Sequence, residues 1–410
     1  MKTVAVIGGG VIGAACAYSL VNAGYQVTII EQKQFGHGSS LGNCGLILPS
    51  HVLPLNMPGT LLKSIKWMMD KDAPLYLKPR IDLELWQWFF KFIRHCNHTD
   101  MMRAAVGNFE LLKDSAQLFD ELIHDEQMNC DWHKNGVVYA FNNPHELAAY
   151  QSIHALVRLF LDDGVRIDHQ QMREKVPFIK TNLAGAYFYR SGAHLRPDRL
   201  MREYQRILTK RGVRIIENQP IKIIDIRENQ LISVGNEHLT VKADQFVFAT
   251  GAWTALLRKK INLPVCIQPG KGYSLTTDTH ISASITPCLF EDARVVATPW
   301  SSGFRLGGTM EFSGFDETID EKRMVSLVKG AQNFMNQTIN LRSFDGWIGL
   351  RPMTFSGLPI IDFLPGLNNA VIAAGHNMLG LTMAIRTGKL ITELLTDQTP
   401  TVDMKPYKIA

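Results

Sequence analysis

The sequence of 410 residues contains no apolar run as long as the ~18 residues that a membrane span requires. Its six cysteines never stand two residues apart, and no cysteine–histidine cluster has the spacing of zinc ligands. A disulfide framework and thioredoxin-type redox chemistry are therefore disfavoured, and we predict no metal site. The excess of positive charge is also small, because 43 Lys and Arg against 38 Asp and Glu leave a net charge of +5. This small excess argues against a nucleic-acid partner.

Neither a cleavable signal segment nor a low-complexity linker is visible, and the apolar pattern of the first strand begins almost at Met1. With 46% hydrophobic residues the chain can bury a large core. At ~150 residues per domain its length corresponds to two or three lobes. Because no linker separates these lobes, we expect them to be interleaved in sequence. Together these absences predict a cytoplasmic protein.

The first thirty residues predict a β-α-β unit. Thr3–Ile7 is a continuous β-branched and apolar run, typical of a strand buried on both faces of a parallel sheet. Good helix formers follow up to a stop at Gly24, and a second strand at 26–30 ends on Glu31. The first strand and the helix are joined by a glycine fingerprint that comprises Gly8, Gly10, Val11, Ile12 and Gly13.

Each part of this unit has a mechanical role in dinucleotide binding. Gly8 permits a tight turn, Gly10 lets the backbone approach a pyrophosphate, and Gly13 lets the helix pack closely on the sheet. The helix N-terminus offers amides and its positive dipole end to the phosphates. Glu31 stands where a carboxylate accepts the hydroxyls of an adenine ribose and repels a 2′-phosphate. Because all these parts are in register, the pattern indicates a dinucleotide site rather than an ordinary glycine turn.

A second helix terminus favours a flavin over a nicotinamide. The buried-strand pattern of Ala370–Ala374 is followed by a glycine-containing turn, and a helix is predicted to start near Leu381. Its N-terminal amides would face the pyrimidine oxygen of the flavin and stabilise the negative charge that develops there on reduction. The Gly/Ser-rich stretch 36–47 is predicted to cover the cofactor rather than to form a surface loop.

Aromatic and amphipathic patterns follow in the middle of the chain. The segment 85–93 is dense in aromatics, and we interpret it as core rather than as a patch for a membrane surface or an electron acceptor. The periodicity predicts one amphipathic helix over 100–128, a strand over 184–190 and a helix from Pro197 to about Arg211. The sequence after these elements is rich in strand patterns, which indicates a second sheet.

Five blocks in this order resemble the FAD-dependent D-amino acid oxidase superfamily, most closely its D-amino acid dehydrogenase branch. The blocks are Gly8–Gly13, Ser39–Ile47, Lys271–Leu275, Gly349–Thr354 and Gly375–Gly388. The resemblance implies an α/β fold in which a discontinuous Rossmann-like FAD lobe, a parallel sheet with helices, is joined to an antiparallel-sheet substrate lobe with helices. By this division the FAD-binding domain comprises residues 1–80, 190–258 and 340–410, and the substrate domain comprises 81–189 and 259–339.

The resemblance also implies that FAD is the cofactor. Some relatives attach the flavin through a cysteine in the C-terminal third, but this chain has none after Cys288, so we expect non-covalent binding. Cys44 replaces the alanine that is usual in the family's flavin loop. The residues expected to contact FAD are Gly8, Gly10, Val11, Ile12, Gly13, Glu31, Gln32, Ser39, Ser40, Asn43, Cys44, Gly45, Leu46, Ile221, Gly251, Trp253, Gly375, Met378, Leu379, Gly380, Leu381 and Thr382.

Four residues are predicted to face the substrate. Arg351 matches the arginine that holds the substrate carboxylate in the family, and its guanidinium fork suits that anion. The resemblance also makes Tyr273 a hydroxyl partner of the same carboxylate, with a packing role as the alternative. His51 falls where the dehydrogenase branch often has tyrosine. For His51 and His376, a substrate contact and a structural role stay open as alternatives.

The resemblance implies an enzyme of amino acid catabolism, a flavin-dependent D-amino acid dehydrogenase. It would pass a hydride from the substrate Cα to flavin N5 and yield an imino acid, which water converts to a 2-oxo acid. Alternatives are a dehydrogenase of D-proline or 4-hydroxy-D-proline, a glycine/sarcosine-type oxidase, or a protein that holds FAD without turnover. A quinone or another electron acceptor is an expected partner. The alternative to a buried aromatic segment 85–93 is that this segment makes a peripheral contact with the inner face of the membrane.

Overall fold

The computed structural model describes residues 1–59, 75–78, 80–280 and 286–409. Two large sheets carry the fold in this part of the chain. All neighbouring strands of the first sheet are parallel, except for one antiparallel pair at an edge. From that edge the strands are β19 (Ile360–Phe363), β20 (Ala370–Ala374), β13 (Gln245–Phe248), β1 (Thr3–Ile7), β2 (Gln26–Ile30) and β9 (Arg214–Ile216).

The second large sheet is mostly antiparallel. Its strands are, in spatial order, β18 (Asp345–Met353), β14 (Gln268–Thr277), β17 (Gly303–Phe312), β16 (Val295–Trp300), β15 (Cys288–Phe290), β5 (Val137–Phe141), β7 (Gly185–Tyr189) and β6 (Gly164–Ile167), with β4 (Leu75–Leu77) beside β17. Smaller pairings join β10 (Ile223–Arg227), β11 (Gln230–Gly235) and β12 (Thr240–Lys242), and separately β3 (Leu46–Ile47) and β8 (Ala193–His194).

Helices cover the first sheet and flank the second. The described helices are α1 (Val11–Asn22), α2 (Leu83–Arg94), α3 (His98–Leu112), α4 (Ser115–Asp125), α5 (Pro144–Val157), α6 (His169–Lys175), α7 (Pro197–Lys210), α8 (Thr254–Leu257), α9 (Glu321–Gln332) and α10 (Gly380–Leu395). One apolar core joins α1, α7 and α10 to the first sheet. The contact of α10 with α1 is close, since a Cβ atom at Gly388 would lie 2.5 Å from the carbonyl oxygen of Ala15. None of the described helices is long and apolar enough to cross a membrane.

The mixed α/β fold and its N-terminal β-α-β unit are confirmed. Gly8 has φ of +108°, and a Cβ atom there would overlap the carbonyl oxygen of Ala249 after β13. Only glycine accommodates both the backbone conformation and the approach. A Cβ atom at Gly13 would likewise overlap the carbonyl oxygen of Gly8. The two glycines therefore let α1 begin directly on the turn that leaves β1.

Two predictions for the middle of the chain were wrong in detail. The helix predicted over 100–128 is two helices, α3 and α4. The chain bends at Asp114, whose carboxylate accepts from Arg386 of α10 at 2.6 Å.

The aromatic segment, predicted as core, is divided between the two faces of α2. Trp88 is 2% exposed, whereas Phe90 is 61% exposed.

Strand pairing places part of the predicted FAD-binding domain in the second sheet. β18 pairs with β14 along its whole length, so residues 345–353 lie in the second sheet although 340–410 is predicted to belong to the FAD-binding domain. Residues 60–74, 79, 281–285 and 410 of the predicted domains lie outside the described residues. The domain bounds stay a prediction.

Candidate active site

A cavity of about 490 Å³ lies between the two large sheets. The carboxyl ends of the parallel strands contribute Ile7, Ile30 and Ala249 to its wall, while Gly272 and Arg351 come from the second sheet. In parallel α/β sheets, ligands bind outside the carboxyl ends of the strands. The cavity therefore lies where the fold favours a cofactor.

The structure brings almost all predicted site residues to this one cavity. Those that line it are Gly8, Gly10, Val11, Ile12, Glu31, Gln32, Ser39, Ser40, Asn43, Cys44, Gly45, Leu46, His51, Ile221, Gly251, Trp253, Tyr273, Arg351, His376, Met378, Leu379, Gly380, Leu381 and Thr382. Gly13 and Gly375 are not among the lining residues. Gly13 packs under the turn at Gly8, and Gly375, with φ of +75°, turns the chain out of β20. What each lining residue binds stays a prediction.

Glu31 organises the glycine turn at one end of the cavity. Its carboxylate accepts from the backbone N–H of Gly9 at 2.7 Å and of Lys33 at 2.9 Å. A carboxylate has about four acceptor positions, so two such bonds leave capacity for ligand hydroxyls. Lys33 in turn lies 5.9 Å above the ring of Trp253. This end of the cavity therefore combines a fixed anion with an aromatic wall.

Two helix N-termini meet at the cavity. The N-cap residues are Gly10 for α1 and Leu379 for α10, and neither residue makes a side-chain capping hydrogen bond. The N–H of Val11 donates to the hydroxyl oxygen of Ser40 at 2.9 Å, which ties the Gly/Ser-rich loop to the start of α1. Helix N-termini carry partial positive charge and stabilise anions within their first turn. Two electropositive ends therefore face the same space.

The second sheet holds the loop 39–45 in place. The Ser274 hydroxyl donates to the carbonyl oxygen of Gly42 at 2.7 Å, and the Thr298 hydroxyl donates to that of Cys44 at 2.9 Å. The Ser39 hydroxyl donates to the carbonyl oxygen of Leu350 on β18. These contacts join the predicted flavin loop to strands β14, β16 and β18.

Arg305 completes this attachment. Its guanidinium donates to the carbonyl oxygens of Asn43 at 2.7 Å and Leu41 at 3.3 Å. Burial lowers the pKa of Arg305 to about 10, so the group stays protonated at neutral pH. Sequence reasoning missed Arg305, Ser274 and Thr298. Arg305 did leave a signal, because a charged residue inside the apolar strand 303–308 needs a buried partner.

Arg351 is a guanidinium in this cavity without an acidic partner. Its Nη1 donates to the carbonyl oxygen of Thr309 at 2.8 Å. No carboxylate in the described part of the chain lies within 4.0 Å of it. Burial lowers the pKa of Arg351, but a guanidinium remains charged in proteins. The arrangement leaves a desolvated cation that an anionic ligand can neutralise.

Tyr273 does not offer its hydroxyl to Arg351. The hydroxyl donates to Oε2 of Glu311 at 2.8 Å, and the ring belongs to the apolar core on that side of the sheet. Successive side chains of a strand point to opposite faces, and the Arg351 guanidinium lies over the preceding residue, Gly272. Tyr273 borders the cavity, but the structure does not bring the predicted hydroxyl partner to the predicted anchor.

The two cavity histidines are neutral at physiological pH. Burial, assisted by the charge of Arg294, lowers the pKa of His51 to about 4, and its Nδ1 lies 3.4 Å from the Tyr139 hydroxyl. Burial also lowers the pKa of His376 to about 3, and its Nε2 lies 3.1 Å from the Thr387 hydroxyl. Neither ring therefore adds positive charge beside Arg351.

Apolar side chains that the sequence did not single out form the wall near the second sheet. Leu48, Leu289, Val296 and Trp347 line the cavity there. Leu289 and Val296 are cross-strand partners on β15 and β16. Their signal in the sequence is only the ordinary apolar alternation of strands, which does not distinguish a cavity wall from core.

The chain belongs to the family of FAD-dependent oxidoreductases, whose sequence model, DAO, matches residues 3–394. A D-amino acid dehydrogenase of Vibrio vulnificus is 28% identical over 408 residues, which cover 97% of this chain and 96% of the relative. A D-amino acid dehydrogenase of Helicobacter pylori is 27% identical over 401 residues, 97% of this chain and 95% of the relative. The predicted family is thereby confirmed.

Solved structures share the fold. Glycine oxidase from Geobacillus kaustophilus superposes with a TM-score of 0.79 at 18% identity and covers 100% of this chain and 99% of its own. L-Proline dehydrogenase from P. horikoshii superposes with a TM-score of 0.72 at 18% identity, over 99% of this chain and 96% of its own.

Proposed function

We propose that the chain binds FAD non-covalently in the described cavity and oxidises a D-amino acid to the imino acid, which water converts to a 2-oxo acid and ammonia. The observation that carries the proposal is Arg351, a half-buried cation without an acidic partner among the described residues, in the same cavity as the glycine turn and Glu31. The names of the relatives, D-amino acid dehydrogenases, support the substrate class.

The residues present fit FAD. Glu31 would accept the ribose hydroxyls, the amides at the start of α1 would bind the pyrophosphate, and the amides at the start of α10 would face the flavin ring. FAD, when bound, supplies the chemistry of the reaction, which is acceptance of the substrate Cα hydride at flavin N5. Of the six cysteines, only Cys44 lines the cavity, and its Sγ packs against Gly307 of β17. That packing supports non-covalent binding.

The protein's own contribution is to orient the amino acid. Arg351 would hold the carboxylate through parallel hydrogen bonds, and the apolar wall would exclude water from the reacting Cα–H bond. His51 and His376 are neutral and raise no electrostatic barrier to the substrate amine. Such orientation requires no obligatory general base, because the amine can lose its proton to solvent before the substrate is fully enclosed.

The test is anaerobic bleaching of the purified yellow protein by a panel of amino acids. D-Alanine and other D-amino acids are expected to bleach the flavin, and their L-enantiomers are not. Bleaching by 4-hydroxy-D-proline alone, or by glycine alone, would replace the proposed substrate with one of those. A flavin that no amino acid bleaches would refute the proposed enzymatic activity.

We further propose that the electrons leave to an acceptor other than oxygen. The relatives' names support this assignment, because a dehydrogenase passes electrons to a carrier. Turnover with an artificial dye is expected to exceed the production of peroxide in air. Peroxide production at the rate measured with the dye would contradict this assignment.

The outer face of α2 supports a peripheral contact with an anionic lipid surface. Leu83, Trp86 and Phe90 are more than half exposed on this helix, and the Arg94 guanidinium lies 5.9 Å above the Phe90 ring. Exposed aromatic residues beside cations are typical of helices that lie in a membrane interface.

Sedimentation with phosphatidylglycerol vesicles tests this contact. The wild-type protein is expected to sediment with the vesicles, and the double variant Trp86→Ser/Phe90→Ser is expected to stay in solution. Leu159→Ser is the control, because Leu159 is also an apolar residue more than half exposed but lies outside α2. Equal sedimentation of wild type and double variant would contradict the proposal.

A further inference from the structure

The Arg351 side chain crosses a whole strand of the second sheet to reach its partner. Arg351 belongs to β18, whereas the Thr309 carbonyl that accepts from it belongs to β17. Strand β14 lies between them. The guanidinium passes over Gly272 of β14, where a Cβ atom would overlap Nη1, Cζ and Nη2. This path exists because residue 272 has no side chain.

The Thr309 carbonyl is available because β17 is irregular at this point. Lys271 pairs with Glu311 and Tyr273 with Gly308, so two residues of β17 stand opposite Gly272. An extra residue of this kind is a β-bulge, which interrupts the ladder and redirects backbone groups. Thr309 has φ of +60°, a conformation that β-branched residues rarely adopt. The strained residue is thus the one whose carbonyl accepts from Arg351, and strain of this kind is typical of functional sites.

We infer that Gly272 and the bulge at Thr309 form a cradle that positions Arg351 for a carboxylate. The inference rests on the proposed function, in which Arg351 anchors the substrate. Thr309 holds Nη1, whereas Nε and Nη2 have no hydrogen-bond partner in the described part of the chain. The side of a guanidinium formed by Nε and Nη2 can make two parallel bonds to a carboxylate. Gly272 and Thr309 are positioning residues, because they act through Arg351.

The variant Gly272→Ala tests the cradle without removing a charge. Gly272 has no positive φ, so alanine suits its backbone, and the three nearest atoms to the new Cβ all belong to the flexible Arg351 side chain. We expect the displaced guanidinium to lower kcat/KM and the affinity for propionate roughly 10- to 100-fold, while FAD content stays at the wild-type level. Propionate carries the carboxylate without the amine, and its binding is followed through the flavin absorbance.

Gly346→Ala is the matched control on β18. A Cβ atom at Gly346 lies 3.0 Å from the flexible Cε of Met324 and does not approach Arg351. This variant is expected to bind propionate as the wild type does. Wild-type propionate affinity in Gly272→Ala, or an equal loss in Gly346→Ala, would overturn the cradle.

A double-mutant cycle separates this inference from the proposed function. If Gly272 acts through Arg351, the change Gly272→Ala causes no further loss of propionate affinity in an Arg351→Ala background. Additive losses would overturn the cradle but leave the carboxylate anchor intact. Wild-type turnover by Arg351→Ala would refute the carboxylate anchor instead, whereas a flavin that no amino acid bleaches would refute the proposed function.

Thermal unfolding of Thr309→Gly tests the strain at the bulge without relying on Gly272→Ala. Glycine adopts positive φ freely. The Thr309 hydroxyl has no hydrogen-bond partner among the described residues, so its removal breaks no hydrogen bond with them. The thermal midpoint is therefore expected to exceed that of Thr309→Ala, which loses the same hydroxyl and methyl groups but keeps a Cβ atom at positive φ. A midpoint no higher than that of Thr309→Ala would show that the bulge is not strained and would overturn that part of the inference.

Discussion

Replacement of Arg351 by alanine is the sharpest test of how this protein recognises its substrate. The guanidinium lines the cavity, and its Nη1 donates to the Thr309 carbonyl at 2.8 Å and to the Met310 sulfur at 3.7 Å. No carboxylate in the described part of the chain lies within 4.0 Å of it. A substrate carboxylate that enters the cavity leaves water, and this desolvation is costly unless a fixed cation receives the anion. In Arg351→Ala the substrate therefore meets an apolar wall instead.

The size of the effect follows from the loss of one partner of a buried charge pair. Such a loss costs ~3–5 kcal/mol, which corresponds to a decrease of roughly two to four orders of magnitude in kcat/KM. Arg351→Lys should recover only part of this loss, because a single ammonium cannot reproduce the planar fork. FAD content should change little, since the residues expected to hold FAD lie in other segments.

The assay is steady-state turnover of D-amino acids with an artificial dye, together with the yellow absorbance of the purified variant. Arg342→Ala is the control, because Arg342 is exposed, lies just before β18 and carries the same charge. Near-normal kcat/KM of a yellow Arg351→Ala protein toward every D-amino acid tested would refute the assignment, and another anchor would have to be sought.

Three further predictions concern the cofactor and the pH dependence of stability. Glu31→Ala should weaken FAD binding roughly 10- to 150-fold, because it removes a hydrogen bond to a charged group that contributes ~1.5–3 kcal/mol. Glu217→Ala, which removes an acceptor of the Phe35 amide outside the cavity lining, should leave the FAD dissociation constant unchanged. Acid precipitation should release yellow FAD into the supernatant, and colour in the pellet would indicate a covalent bond. Burial lowers the pKa of His376 to about 3. Below pH ~6.5 the unfolded chain therefore takes up a proton at this residue that the folded chain does not. The free energy of unfolding consequently decreases as the pH falls from 6.5 towards 3. Between pH 7 and pH 5 this amounts to about 2 kcal/mol, and urea unfolding should show that His376→Gln, unlike the exposed His238→Gln, removes this part of the acid sensitivity.

Local sequence patterns were sufficient to predict the N-terminal β-α-β unit. A buried-strand run, a glycine turn and a helix lie within thirty residues, and each is determined by neighbours in the chain. Long-range pairing is not readable in this way. Asp114, at which the predicted helix is interrupted, pairs with Arg386, 272 residues away, and the contact of Arg305 with Asn43 spans 262 residues. A single sequence carries no information about such partners.

The face to which a strand residue points is equally hidden. Within the Lys-Gly-Tyr block the sequence predicted a role for Tyr273, because its side chain carries a hydroxyl whereas Gly272 has no side chain. The register of β14 instead turns Gly272 towards Arg351 and Tyr273 towards Glu311. Because side chains alternate with a period of two, a prediction that is off by one residue exchanges the two faces. The residue that bears on the site was therefore the one without a side chain.

The second sheet fixes both the predicted flavin loop and the predicted substrate anchor. Ser274, Thr298 and Arg305 hold the loop carbonyls from strands β14, β16 and β17, and the same β17 supplies the Thr309 carbonyl that holds Arg351 of β18. Neighbouring strands lie ~4.8 Å apart and cannot slide without breaking the ladder. The distance from loop to anchor is therefore set by strand spacing, not by mobile segments. A reaction that depends on the orientation of one Cα–H bond towards a flavin requires such fixed geometry more than it requires an acid or a base.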